Sequence, residues 1–162
     1  MNHNMPTQLT GRPWINFQVW TMRRIDTLAA RVGRGREISP HLATGERGER
    51  EALFHLRKLG YIIVARRWKT TKLWGDVDLI AWNDESLCFV EVKTRSRRDA
   101  ISAESAVDKD KREMLQKMAR AYLRGFPEKL RGEIPVRFDV VSVYLLPTGP
   151  EFDLYQAVFG WS

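Results

Sequence analysis

A chain of 162 residues has the length of one domain able to bury its own core. Its 27 lysines and arginines outweigh 20 acidic residues, and the net charge of +7 favours an acidic partner such as nucleic acid or an anionic surface. No apolar run approaches the roughly 18 residues of a membrane-spanning helix, the start lacks a secretory signal core, and one cysteine with His3, His41 and His55 leaves no Cys/His zinc set. A cytoplasmic protein is expected, with Cys88 as a buried free thiol and any metal bound through oxygen.

Residues 1–40 have no sustained period and carry Arg12, Arg23, Arg24, Arg31, Arg34 and Arg36 against Asp26 and Glu37. A disordered basic extension is expected there, before a single domain over 41–162. Two further readings stay open: an arm on a phosphate backbone, or upstream sequence with Met22 as the true start. Ser39-Pro40 or Thr44 opens a helix closed by Gly60. Ala52, Leu53, Leu56 and Leu59 share one face of it. Glu49 precedes Ala52 by three and Leu56 by seven, so a carboxylate projects from the apolar stripe, where it needs a partner or a metal; Glu46 suits the helix dipole better.

Tyr61 to Ala65 is an apolar, β-rich run, followed by Arg66, Arg67, Trp68 and Lys69 and a polar loop through Lys72 to Trp74. These basic and aromatic residues suit phosphates and stacked bases, or else form a solvated strand end with a core tryptophan. Val77 to Trp82 and Leu87 to Arg95 flank the turn residues Asn83 to Ser86, the pattern of a β-hairpin. If Trp82 pairs with Leu87, the same register sets Asp78 opposite Glu91, with Lys93 on the same strand face. Like charges so placed among apolar neighbours repel, and require a cation or a shared proton. The hairpin is therefore either an ion-pair network or an Mg²⁺-type metal centre.

Arg95, Arg97 and Arg98 leave the carboxylate end of that strand, well placed for phosphate contacts or as plain surface charge. A helix from Asp108 to Leu123, closed by Gly125, presents Met114, Leu115, Met118, Ala119, Tyr122 and Leu123 as its core stripe. Lys111 starts along that buried face and can reach the hairpin carboxylates or snorkel, whereas Lys109 and Arg112 are expected to point outward. Phe126-Pro127 and Gly132 bracket a loop, Val136 to Leu146 is a strand, and Phe152 to Phe159 pairs back on it as an edge. Asp139 interrupts the apolar run and is expected to pair structurally with Arg137 or a neighbouring strand.

The arrangement of Asp78 with Glu91-Val92-Lys93 resembles the active-site hairpin of the PD-(D/E)XK nuclease superfamily. The element order is similar to its α/β restriction-endonuclease-like αβββαβ core, a mixed β-sheet flanked by helices. A closer likeness is to the YraN-like family of uncharacterised bacterial proteins, carried by Gly48-Glu49, Gly75 to Ile80, Phe89 to Arg95, Lys111 with Tyr122 and Leu123, and Arg137-Phe138-Asp139. Asp76 departs from it, since the family usually carries Glu there. The resemblance implies a nuclease related to archaeal Holliday-junction resolvases, a hydrolase of DNA that works with Mg²⁺ or Mn²⁺, and by analogy a homodimer. It implies that Asp78, Glu91 and the Val92 carbonyl bind the metal. Lys93 would position the attacking water, and Glu49 would hold a further water or ion. Arg66, Arg67, Lys69, Arg95, Arg97, Arg98, Lys109, Lys111 and Arg112 are the candidate nucleic-acid contacts. The alternatives are a nuclease-like module that only binds nucleic acid, and a partner-binding protein with a structural ion-pair network.

Overall fold

The first helix, α1, runs Pro40–Lys58. The computed structural model describes residues 40–98 and 107–161, so the expectation of a disordered extension over 1–40 falls outside the described residues but for Pro40. Ala52, Leu53 and Leu56 are buried along α1, as their spacing predicts. Leu59 departs from that stripe and is 48% exposed, because the helix has already ended at Lys58. Its end is a Schellman turn: Gly60 adopts φ +87°, its N–H donates to the Arg57 carbonyl at 3.1 Å, and the Tyr61 N–H donates to the Leu56 carbonyl at 3.0 Å. That turn returns Tyr61 to the core beside Leu56 and starts the first strand.

The strands are β1 (Ile62–Trp68), β2 (Val77–Asn83), β3 (Ser86–Arg95), β4 (Val136–Leu146) and β5 (Gly149–Phe159). They form one five-stranded sheet in that order, antiparallel throughout except for the parallel pair β3/β4. A parallel pair needs a crossover. Here it carries α2 (Lys109–Leu123) and a single turn, α3 (Glu128–Arg131). The fold is therefore α/β, with the expected order of helix, three strands, helix and closing strands, and β5 as the predicted edge. The single turn replaces a predicted loop. Arg131 fastens it by donating from Nε to the Phe126 carbonyl at 2.9 Å and from Nη2 to the Arg124 carbonyl at 3.0 Å.

Side-chain alternation gives the sheet two apolar faces. On one, Leu79, Ala81, Cys88, Val90, Val141 and Val143 cluster with Ala52, Leu53 and Leu56 of α1. On the other, Tyr122 of α2 meets Phe89 at 5.9 Å and Trp68 at 5.2 Å, both edge-on, so Trp68 is a packed tryptophan. Asp108 caps α2 by accepting from the Lys111 N–H at 2.8 Å.

Asp139 is structural, as expected. Arg137 donates to its carboxylate through Nε and Nη2 at 2.9 Å each, the Tyr61 hydroxyl donates at 3.1 Å, and the Ala157 N–H at 3.0 Å. Arg137 Nη2 also reaches the Tyr61 hydroxyl and Asn83 Oδ1, both at 2.8 Å, tying β1, β2 and β4 together. Burial and the Asp139 charge push the Tyr61 phenol up to about 12.

One glycine sets how closely α1 approaches the sheet. Gly48 is buried, and a Cβ there would collide with the Thr94 side chain of β3. Gly48→Ala should therefore destabilise the protein by about 1–3 kcal/mol in urea unfolding, with part of that loss recovered by adding Thr94→Ala.

Candidate functional site

The hairpin has the expected register, with Trp82 opposite Leu87 and Leu79 opposite Val90. Its loop is Asp84-Glu85, where Asp84 takes φ +50°, a conformation that aspartate tolerates better than most residues. Beyond Leu79/Val90 the β2–β3 ladder stops, although β2 still pairs with β1 to Val77 and β3 with β4 to Arg95. Asp78 fills the interruption: its Oδ2 accepts the Val92 N–H at 2.7 Å. The carboxylate thus takes the place of a strand carbonyl, next to Glu91.

Glu91 is only 4% exposed. Lys93 Nζ hydrogen-bonds its Oε1 at 3.0 Å, and Lys111 Nζ lies 2.9 Å from its Oε2. The latter ion pair occupies one side of Oε2, and among the described residues the buried oxygen has no further hydrogen-bond partner. Burial, and then the neighbouring Glu91 charge, push the Asp78 carboxyl from 3.8 up to about 7, against the pull of the Val92 N–H and Lys111. Burial works against the Lys111 ammonium, but Glu91 and Asp78 outweigh it and raise its pKa above the ordinary lysine value. Asp78, Glu91 and Val92 line a cleft of about 370 Å³ together with Thr44, Gly45 and Glu49 of α1 and Thr94.

Glu49 is brought to this cleft already partnered. Arg67 Nε lies 2.6 Å from its Oε2 and Nη2 3.0 Å from Oε1, while Nη1 reaches Glu46 at 2.8 Å. Arg67 adopts φ +45° near the end of β1. Among the described residues no three Asp, Glu, His or Cys side chains gather into a metal cage. A metal set would therefore be Asp78 and Glu91 with the Val92 carbonyl, completed by water. Two carboxylates suit Mg²⁺, which keeps several of its own waters, and Glu91 Oε2, with no hydrogen-bond partner beyond its Lys111 ion pair, fits a cation.

The predicted nucleic-acid contacts divide into groups. Lys111 reaches Glu91, and Lys69 lies 3.7 Å from Asp76. Arg98 pairs with Glu151 at 2.9 Å and covers the Tyr144 ring at 4.8 Å. Arg112 does not simply point outward, because its Nε donates to the Val107 carbonyl at 2.8 Å and its guanidinium lies over Phe159. Arg95 is half-buried, whereas Arg66, Arg97 and Lys109 are exposed. The sequence reading missed the Arg67 clamp on Glu49 and the part of Thr94 in the cleft. Only Gly48, a glycine inside a helix, hinted at the close approach that brings Thr94 there.

The Asp78 shift has a definite sign. Between about pH 4 and pH 7 the native state holds a proton that the unfolded chain has lost, so Asp78 makes stability fall as pH rises through that window. In metal-free buffer, urea melts of wild type and Asp78→Asn should diverge by up to about 1.4 kcal/mol per pH unit across it, wild type losing ground towards pH 7. Parallel curves would remove the buried-carboxyl assignment.

Residues 48–143 match the model of the Uncharacterised protein family UPF0102. A UPF0102 protein of Koribacter versatilis is 49% identical over 119 residues, which cover 74% of this chain and 80% of that one. One from Solibacter usitatus is 40% identical over 131 residues, covering 81% and 94%, and one from Porphyromonas gingivalis 38% over 112, covering 69% and 78%. The family match spans the landmarks from Gly48 to Asp139, and the chain belongs to the uncharacterised protein family UPF0102, the YraN family of the sequence resemblance.

Proposed function

We propose that this protein is a cytoplasmic, divalent-metal-dependent endonuclease of the PD-(D/E)XK type that hydrolyses phosphodiester bonds of DNA. The observation that carries the reading is the meeting of Asp78 and Glu91 in one cleft, with Lys93 hydrogen-bonded to Glu91, at the point where the β2–β3 ladder is interrupted. A purely structural role does not need two carboxylates beside an open cleft on a basic chain.

Asp78, Glu91 and the Val92 carbonyl would hold Mg²⁺ or Mn²⁺. Such an ion acidifies water and neutralises charge developing on the phosphate oxygens. Lys93, hydrogen-bonded to Glu91 Oε1, orients the attacking water and stabilises the negative charge that develops on the phosphate. Lys111, at Oε2, holds the Glu91 side chain in place. Glu49, held by Arg67, positions a water from the α1 side. The exposed Arg66, Arg97 and Lys109 supply positive charge for the DNA backbone.

A second reading has its own support. Glu91 lies between Lys93 and Lys111, as a structural ion-pair network requires. Calorimetric titration of Mg²⁺ and Mn²⁺ into wild type and Glu91→Ala separates the two, run beside cleavage assays on linear, single-stranded and four-way-junction DNA. We expect binding heat from wild type alone, and cleavage reduced by at least about a hundredfold in the variant. Metal binding without cleavage would favour a nucleic-acid-binding module, and equal heats would leave the ion-pair network.

A further inference from the structure

Trp74 is 96% exposed. A single surface aliphatic would need no explanation, but a bare indole leaves a large, flat, rigid apolar area in water. Its setting is specific. The chain is held on both sides of the loop that carries it: Trp68 packs on Tyr122 and pairs with Val77, and Gly75, at φ +105°, sits so close to Met114 of α2 that a Cβ would come within 2.9 Å of Sδ. The loop is therefore pinned to α2 immediately after Trp74, while the indole itself is left clear. Asp78 lies four positions after Trp74, a span of at most about 14 Å along the chain. Exposed Arg66, Lys69 and Lys72 precede Trp74 in the chain, with Lys69 3.7 Å from Asp76, so the stretch from 66 to 76 carries net positive charge.

We infer that the Trp74 indole is a stacking platform for an unpaired base of the nucleic-acid strand entering the Asp78/Glu91 cleft. This rests on the proposed function and narrows its substrate to DNA with single-stranded or splayed bases at the site. A nucleobase is the flat partner that suits an indole, and the strand's phosphates suit the lysines and arginine on the same stretch of chain. Bases in a continuous duplex are stacked on each other and offer no face to a side chain. Trp74 therefore discriminates between the two forms of DNA, while the basic residues attract both.

The test is fluorescence anisotropy of the full chain with a labelled single-stranded oligonucleotide and a labelled blunt duplex, in EDTA so that no chemistry intervenes. Wild type, Trp74→Ala and Trp74→Phe are compared, with thermal melts confirming that all three fold. Trp74→Ala should weaken single-strand binding about tenfold or more and leave duplex binding within about twofold, and Trp74→Phe should keep most of the single-strand affinity. If wild type binds both DNAs and Trp74→Ala binds the single strand equally well, this inference falls and the nuclease reading stands; the indole then belongs to a protein contact. Equal losses on both DNAs also overturn it. If wild type binds neither DNA, the inference and the proposed function fall together.

Discussion

The bond from the Val92 N–H to the Asp78 carboxylate is the constraint on which the site depends. A strand N–H shut away from water must find an acceptor. Past Leu79/Val90 the neighbouring strand no longer offers one, and a side-chain oxygen supplies it instead. That substitution places an acidic side chain within the sheet, beside Glu91 on β3. The rest of the arrangement offsets this cost: Lys93 comes from the same strand and Lys111 from the helix on the crossover. The close approach of α1, permitted by Gly48, adds the opposite wall of the cleft.

The sheet carries a second buried carboxylate, and comparing the two separates structure from chemistry. Asp139 receives Arg137, Tyr61 and the Ala157 N–H, and is buried. Its network reaches Asn83, at the opposite end of β2 from Asp78. A fully satisfied polar cluster of this kind fixes strand positions and has no capacity left for a ligand. At the other end, the buried Glu91 Oε2 has no hydrogen-bond partner beyond its Lys111 ion pair, Asp78 holds its proton into the neutral range, and both residues line the cleft. Identical residue types thus take different roles because one set is saturated and the other is not.

Features governed by short-range rules were legible in the sequence. The turn residues after Trp82 set a register that carried through to Leu79 and Val90, Gly60 marked the end of α1, and Asp108 marked the start of α2. Lys111 was traceable because helical spacing set its stem beside Leu115. The clamp of Arg67 on Glu46 and Glu49 was not, since it joins residues 18 and 21 positions apart through a backbone conformation that no local signal demands. Arg98 was likewise read as a phosphate contact because the chain ahead of β5 gives no indication that Glu151 and Asp153 will lie beside it. Charges on elements distant in the sequence find each other only once the fold has formed.

Cys88, the chain's one cysteine, is wholly buried on β3, and burial followed by the Asp139 charge pushes its thiol up to about 12. At neutral pH almost no thiolate is present and no reagent has access to it. The protein therefore comes with a chemically silent background for thiol labelling. A cysteine introduced on the loop between β1 and β2 would be the single reactive sulfur, and a dye or spin label attached there would report on that loop without first removing a native residue.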